Sequence, residues 1–419
     1  MAANDPVEAT EARRDVTSEL PAALGFAPLG QSALPSMNLV RELTDQIVLD
    51  AVFTNAPITR AELAQHTGLS KTTVSEAVRR LESVGLLRVA GAQRGRPGRV
   101  GTYYRVAAEA GFVLAVELNQ AGIRVRTADL LGKSIQEAAH PPARPREPAE
   151  VATQLRAVVA EAIAAGTADH GRLLAVGISV AKPVDPLTKR VIDLLDTPYP
   201  EGQIQPSEIL ADLVDAPLLV DNDVNLAAIA ERWHGAARAV TSFAYIYLGA
   251  GMGLGLVIDD KLIRGARGAA GEIGYLSVAS TTAGPGRHAF ARAVAAGGFG
   301  PADPAGAVPQ DTVTVARQVL DRAAAGDAEA AAIVHREGRT IGEAIAAVCA
   351  VVDPELVLLG GPIGLHPQLL APVRAAVREL APLPPPVEAG ALGEGAALQG
   401  ALVLALQRGR ADLGRFAAN

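Results

Sequence analysis

Residues 248–274 read LGAGMGLGLVIDDKLIRGARGAAGEIG, and the glycines at 249, 251, 253 and 255 follow directly on the apolar run Phe243-Ala-Tyr-Ile-Tyr-Leu248. A strand that ends in alternating glycines makes a tight turn whose backbone N–H groups can approach an anion closely. Gly249, Gly251 and Gly253 are therefore candidate phosphate-loop residues. The same spacing equally serves a β-hairpin with a tight turn, so the glycines alone leave both readings open.

Around this stretch the chain has the texture of an α/β protein. Phe112–Leu118 with Ile123–Leu130, and Phe243–Leu248 with Gly253–Asp259, read as two hairpins in matching positions. This weak internal duplication predicts two similar lobes around a cleft. Leu173–Val180 and Pro217–Asn225 read as strands, the second delivering polar side chains at its end, where ligands gather in open α/β sheets.

The front of the chain differs. Leu39, Leu43, Ile47 and Ala51 recur at helical spacing and predict a first amphipathic helix. Thr59-Arg-Ala-Glu62 is a capping box for a short second helix stopped at Gly68. Ser70 then caps a third, with Val74, Val78 and Leu81 on its buried face and Gly85 as its left-handed exit. Lys71, Thr72, Ser75 and Arg79 fall on the other face, the arrangement of a helix-turn-helix whose last helix enters the major groove. Leu86–Val89 and Thr102–Val106 read as strands flanking Gly91-Ala-Gln-Arg-Gly-Arg-Pro-Gly-Arg99. In that wing Arg94, Arg96 and Arg99 are candidate DNA contacts, and the extended Arg94-Gly-Arg96-Pro can lay two guanidinium groups into a minor groove with A·T-rich flanks. The loop by itself reads equally as a solvated basic hairpin loop.

Charge agrees with this division. Residues 38–107 carry ten basic and six acidic side chains, +4 within a chain of net charge −7, so the remainder is at −11. Such a basic end suits a polyanion. With 3% aromatic residues, rows of base-stacking rings are excluded as the mode of recognition. The single cysteine, Cys349, lies in an apolar run and reads as a buried small hydrophobe. Residues 1–36 carry acidic side chains and no apolar core for a signal peptide, and read as a disordered tail. No apolar stretch is long enough to span a membrane, so the protein is expected in the cytoplasm.

Val220-Asp-Asn-Asp-Val-Asn-Leu-Ala-Ala228, the glycine stretch, Arg264–Gly274 and Val357-Leu-Leu-Gly-Gly-Pro362 together resemble the ROK family of sugar kinases and repressors, and the phrase from Ile58 to Ser70 resembles winged helices of bacterial transcription factors. The resemblance spans residues 38–410 and implies a two-lobed, actin-like (ribonuclease H-like) sugar-kinase fold behind a small winged helix-turn-helix domain. The expected organisation is a tail over 1–36, a DNA-binding domain over 37–107 and an effector-binding domain over 111–410. Asn222 and Asp223 match the family's Asn-Asp pair, whose aspartate deprotonates the sugar hydroxyl. Glu272 matches the glutamate that holds sugar hydroxyls, and Tyr275 stands at the family's histidine position. Asp221–Asp223 also suits a plain helix cap, and the two roles are compatible.

Two departures from the family decide the expected function. Kinases of the family open their first hairpin with Asp-x-Gly-Gly-Thr, which grips ATP phosphates, whereas this chain has Glu117-Leu-Asn-Gln-Ala121. The family's cysteine-rich zinc motif is replaced by the Ala-, Gly- and Pro-rich stretch 277–309, so no metal or other cofactor is expected. The resulting expectation is a non-enzymatic, sugar-responsive repressor. Its partners are a palindromic double-stranded operator, a sugar or sugar phosphate, and further copies of itself as a homodimer or homotetramer. The competing readings are an active sugar kinase with a DNA-binding arm and a ligand-blind DNA-binding protein.

Overall fold

The computed structural model describes residues 37–92, 101–143, 147–193, 202–249, 251–276 and 312–418. The expected tail, the wing residues Arg94, Arg96 and Arg99, and the stretch in place of the zinc motif lie outside the described residues.

The N-terminal elements are α1 (Met37–Asn55), β1 (Ile58–Thr59), α2 (Arg60–Thr67), α3 (Lys71–Ser83), β2 (Leu87–Ala92) and β3 (Thr102–Val106), with sheet order β1-β3-β2. Local chemistry fixes their ends. The Glu62 carboxylate accepts from the Thr59 amide at 2.8 Å while Thr59 Oγ1 accepts from the Glu62 amide, closing the capping box. Gly68 and Gly85 take left-handed φ of 70° and 78°. Ser70 Oγ caps α3 by accepting from the Thr73 amide at 3.1 Å.

The expected first helix forms, but the stripe that marked it is not the face that meets the core. Leu39, Leu43 and Ile47 are 44%, 55% and 44% exposed. The buried face is instead Asp45, Val48, Leu49 and Val52, with Asp45 held by both Nε and Nη2 of Arg80, at 3.0 and 2.6 Å. The helix carries two apolar stripes, and α3 packs against the one that includes the buried ion pair.

Behind this domain stand two lobes of the same design. The first sheet uses β4 (Phe112–Asn119), β5 (Gly122–Asp129), β6 (Ser134–His140), β7 (Leu173–Val180) and β8 (Leu218–Asn222), in the order β6-β5-β4-β7-β8. The second uses β9 (Phe243–Leu248), β10 (Met252–Ile258), β11 (Lys261–Leu262), β12 (Leu356–Gly360) and β13 (Val387–Ala389), in the order β11-β10-β9-β12-β13. In each, three strands form an antiparallel meander and two further strands add in parallel to the first. This is the repeated topology of the actin-like sugar-kinase fold. Helices cover the sheets: α4 (Pro148–His170) on the first, α6 (Thr312–Ala324), α7 (Ala328–Val352) and α8 (Pro367–Leu380) on the second. Between the lobes run α5 (Asp223–His234) and α9 (Ala396–Ala411), followed by α10 (Leu413–Ala418). Cys349 is buried in α7. Among the described residues no helix is long and apolar enough to cross a membrane.

The lobes and the front domain share apolar core: Val48, Leu49 and Leu81 belong to one cluster with Leu402, Leu406 and Leu413. A polar contact adds register there, the Gly414 amide donating to Gln46 Oε1 at 3.0 Å.

Candidate functional site

A cleft of about 530 Å³ opens between the lobes, and Asn222, Asp223, Glu272 and Tyr275 all line it. Strand β8 is the half-buried edge strand of the first sheet and ends at Asn222, where α5 begins, so the change of element delivers two polar side chains to the sheet's carboxyl edge. Asn222 Oδ1 caps α5 by accepting from the Val224 and Asn225 amides at 3.0 and 3.1 Å. Its Nδ2 donates to Asp223 Oδ1 at 3.0 Å, and the Val224 amide donates to the same oxygen at 2.9 Å. Capping and orientation are thus one network. It fixes the Asp223 carboxyl through Oδ1, and no described residue bonds Oδ2. Burial, with Glu117 and Glu272 close enough to repel, pushes the Asp223 carboxyl up to about 7.

Glu272 reaches the cleft on the loop 263–274, and that loop is pinned to the opposite lobe. Arg264 grips Asp221 with Nε at 2.7 Å and Nη2 at 2.6 Å. Gly268, at φ 79°, passes against the Val184 carbonyl, and Gly271, at φ 96°, against the Leu254 carbonyl, with no room for a Cβ at either. Tyr275 is exposed at the cleft margin.

The glycine stretch forms the β9–β10 hairpin, closed by the Gly249 amide donating to the Gly251 carbonyl at 2.9 Å. Gly251 and Gly253 line the cleft. A Cβ on Gly253 would meet Val224, and one on Gly255 would meet Ala228, at 2.9 and 2.7 Å. These two glycines let α5 lie close on β10.

The hairpin that faces it is closed upon itself. Asn119 Oδ1 accepts from the Ala121 amide at 2.8 Å, so that N–H is spent inside the turn. Asn119 Nδ2 and Arg124 Nη1 bond the Glu117 carboxylate at 3.1 and 3.3 Å. Burial nonetheless raises the Glu117 carboxyl above its ordinary value.

On α3, Lys71, Thr72 and Arg79 are exposed and Ser75 is half-buried, its hydroxyl donating to the Lys71 carbonyl at 2.8 Å. Arg80, next along the helix, is committed to Asp45.

Sequence reasoning missed Tyr245, Tyr247, Lys182 and Arg317, all on the cleft wall. For the tyrosines a signal existed, since alternation along β9 puts residues 245 and 247 on one face. No signal pointed to Lys182 or Arg317.

A family model described as ROK family matches residues 114–408, and one described as winged helix-turn-helix DNA-binding matches residues 41–88. A xylose repressor of Caldicellulosiruptor bescii is 25% identical over 241 residues, covering 57% of this chain and 60% of that protein. The chain thus spans about three-fifths of the length of the curated relatives it matches. Among solved structures, a ROK family transcriptional regulator described as a homologue of the E. coli MLC protein superposes with a TM-score of 0.69 at 20% identity, covering 90% of this chain and 99% of that one. A ROK hexokinase from Thermus thermophilus superposes at 0.54 with 25% identity, covering 70% and 97%.

Proposed function

The chain belongs to the ROK family, and from that premise we propose that it is a DNA-binding transcriptional regulator, a repressor, whose kinase-like cleft senses a sugar or sugar derivative without phosphorylating it. Asn222, Asp223 and Glu272 gather in one cleft, where carboxylates accept strong hydrogen bonds from sugar hydroxyls and an amide both donates and accepts. Lys71, Thr72, Ser75 and Arg79 face the major groove of an operator half-site, with Arg94 and Arg96 reaching the adjacent minor groove and Arg99 a further DNA contact. Paired subunits, as a homodimer or homotetramer, read a palindrome.

The observation that carries the sensing half of this reading is the path of α9. Ala396 and Ala397 at its start line the cleft. Near its end Arg410 stacks on the Phe53 ring of α1 at 4.7 Å. One helix of about 24 Å therefore touches both the effector cleft and the DNA-binding domain. A sugar that favours one lobe arrangement shifts α9 and so re-spaces the paired recognition helices. Against phosphoryl transfer stands the first hairpin, whose Ala121 amide is bonded to Asn119 and so offers a phosphate nothing. Positioning of the phosphoryl group supplies most of such catalysis.

Sugars are tested by thermal shift, D-xylose first because matched relatives carry the name xylose repressor. A ligand that binds only the folded state raises the melting temperature. No shift from any sugar in a panel of pentoses, hexoses and their phosphates contradicts the reading. One observation favours the kinase reading: a carboxyl near 7 is well matched to general-base work at neutral pH. ATP turnover with the same panel separates the two, and the proposal expects none.

A further inference from the structure

Strands β9 and β12 are parallel neighbours, and each ends in a glycine turn, at Gly249 and at Gly360-Gly361. Carboxyl ends of adjacent parallel strands are where open α/β sheets take their ligands. Here an aromatic ring stands between the two turns. A Cβ added to Gly249 would fall 2.7 Å from Tyr247 Cε1 and 2.8 Å from its Oη, and one added to Gly361 would fall 2.9 Å from Cδ2 and Cε2 of the same ring. Tyr245, two residues earlier on the same face, packs its hydroxyl against Gly360. Backbone that glycine leaves open to an anion is therefore covered by phenol. Among the described residues, the cations of the cleft wall already have carboxylate partners. Arg124 is paired with Glu117, Lys182 with Asp193 and Arg317 with Glu394.

We propose that Tyr247, braced by Tyr245, is a specificity-determining plug that fills the phosphate end of the cleft and excludes nucleoside diphosphates and triphosphates. This deepens the sensor reading and rests on it for the role of the cleft: the ligand is a sugar alone, and cellular ATP does not compete with it.

The test is a titration of full-length wild type, Tyr247→Ser and Tyr247→Phe with magnesium ADP, followed by calorimetry, with urea unfolding of each variant as the check on folding. Removing the ring opens the turns, so Tyr247→Ser is expected to bind ADP at least about tenfold more tightly than wild type. Tyr247→Phe keeps the plug and should match wild type. Wild type binding ADP as tightly as Tyr247→Ser overturns the proposal, and so does a folded Tyr247→Ser that gains no affinity. If Tyr247→Ser does not fold, Tyr247→Val, a strong strand former, is read in the same way. Neither sugar nor operator enters this titration, so its failure is distinct from failure of the sensor reading.

Discussion

Arg264 and Asp221 lie 43 residues apart in sequence and in different lobes, yet both Nε and Nη2 of the arginine bond the same Asp221 oxygen, at 2.7 and 2.6 Å. The other carboxylate oxygen accepts from the Asn222 amide at 2.9 Å and from Asn225 Nδ2 at 3.3 Å. This pair joins the strand end that presents Asn222 and Asp223 to the loop that presents Glu272. Arg264→Ala strands a buried carboxylate, which costs about 3–5 kcal/mol when one partner of such a pair is removed. Urea unfolding should show that loss, and Arg264→Lys should recover only part of it because a point charge cannot reproduce the fork. An Arg264→Ala protein with unchanged stability would show that the pair does not lock the lobes.

Asp223 gives the cleft a pH dependence whose sign can be worked out. Its folded-state carboxyl is at about 7 against an ordinary value of 3.8, so between those values the folded protein holds a proton that the unfolded chain has lost. Its contribution to stability therefore declines as pH rises through that window and stays unfavourable above it. Asp223→Asn should melt at a higher temperature than wild type at pH 8, with the difference shrinking toward pH 4. Effector affinity runs the other way, weakening as pH falls through 7 because the carboxylate is the better acceptor. Melting curves across pH check the first statement and sugar titrations the second.

On α3, exposed Arg79 is expected to contact phosphate and Ser75 to face base edges. Arg79→Ala should weaken binding to all sequences and lower the salt slope by about one ion. Ser75→Ala should instead alter preference at the centre of each half-site, and Arg96→Ala should matter most where flanks are A·T-rich. Fluorescence anisotropy with operator variants distinguishes these patterns. Uniform loss from all three substitutions would contradict the division.

Gly414 sits so close to α1 that an added Cβ would lie 2.6 Å from the Glu42 carbonyl. Gly414→Leu should push α10 off α1 and uncouple the domains. Sugar-induced thermal stabilisation should persist while the sugar's effect on operator affinity falls. Loss of both together would place the fault in folding instead.

Much of this architecture was legible from local signals. Thr59 with Glu62, Ser70, Gly68 and Gly85 act within a few residues of themselves, so sequence pattern suffices to place them. The repeated hairpins foretold two lobes because alternation is also local. Long-range pairings were hidden. Nothing in sequence links Arg264 to Asp221, or tells that Tyr247 lies against Gly361, more than a hundred residues away. The α1 stripe misled for a related reason: helical spacing identifies an apolar face but not which of two faces meets the core, and Asp45 enters the core only because Arg80 follows it.

The central claim is that sugar bound at Asn222, Asp223 and Glu272 controls DNA binding. The most direct test is the affinity of the full-length protein for a palindromic operator fragment, measured with and without the sugar that stabilises it, in wild type and in Asp223→Asn. The account predicts at least about a fivefold change in wild type, the low end of typical coupling between sites. In Asp223→Asn the sugar-free affinity should be unchanged and the response lost or much reduced. An undiminished sugar response in Asp223→Asn would contradict the account.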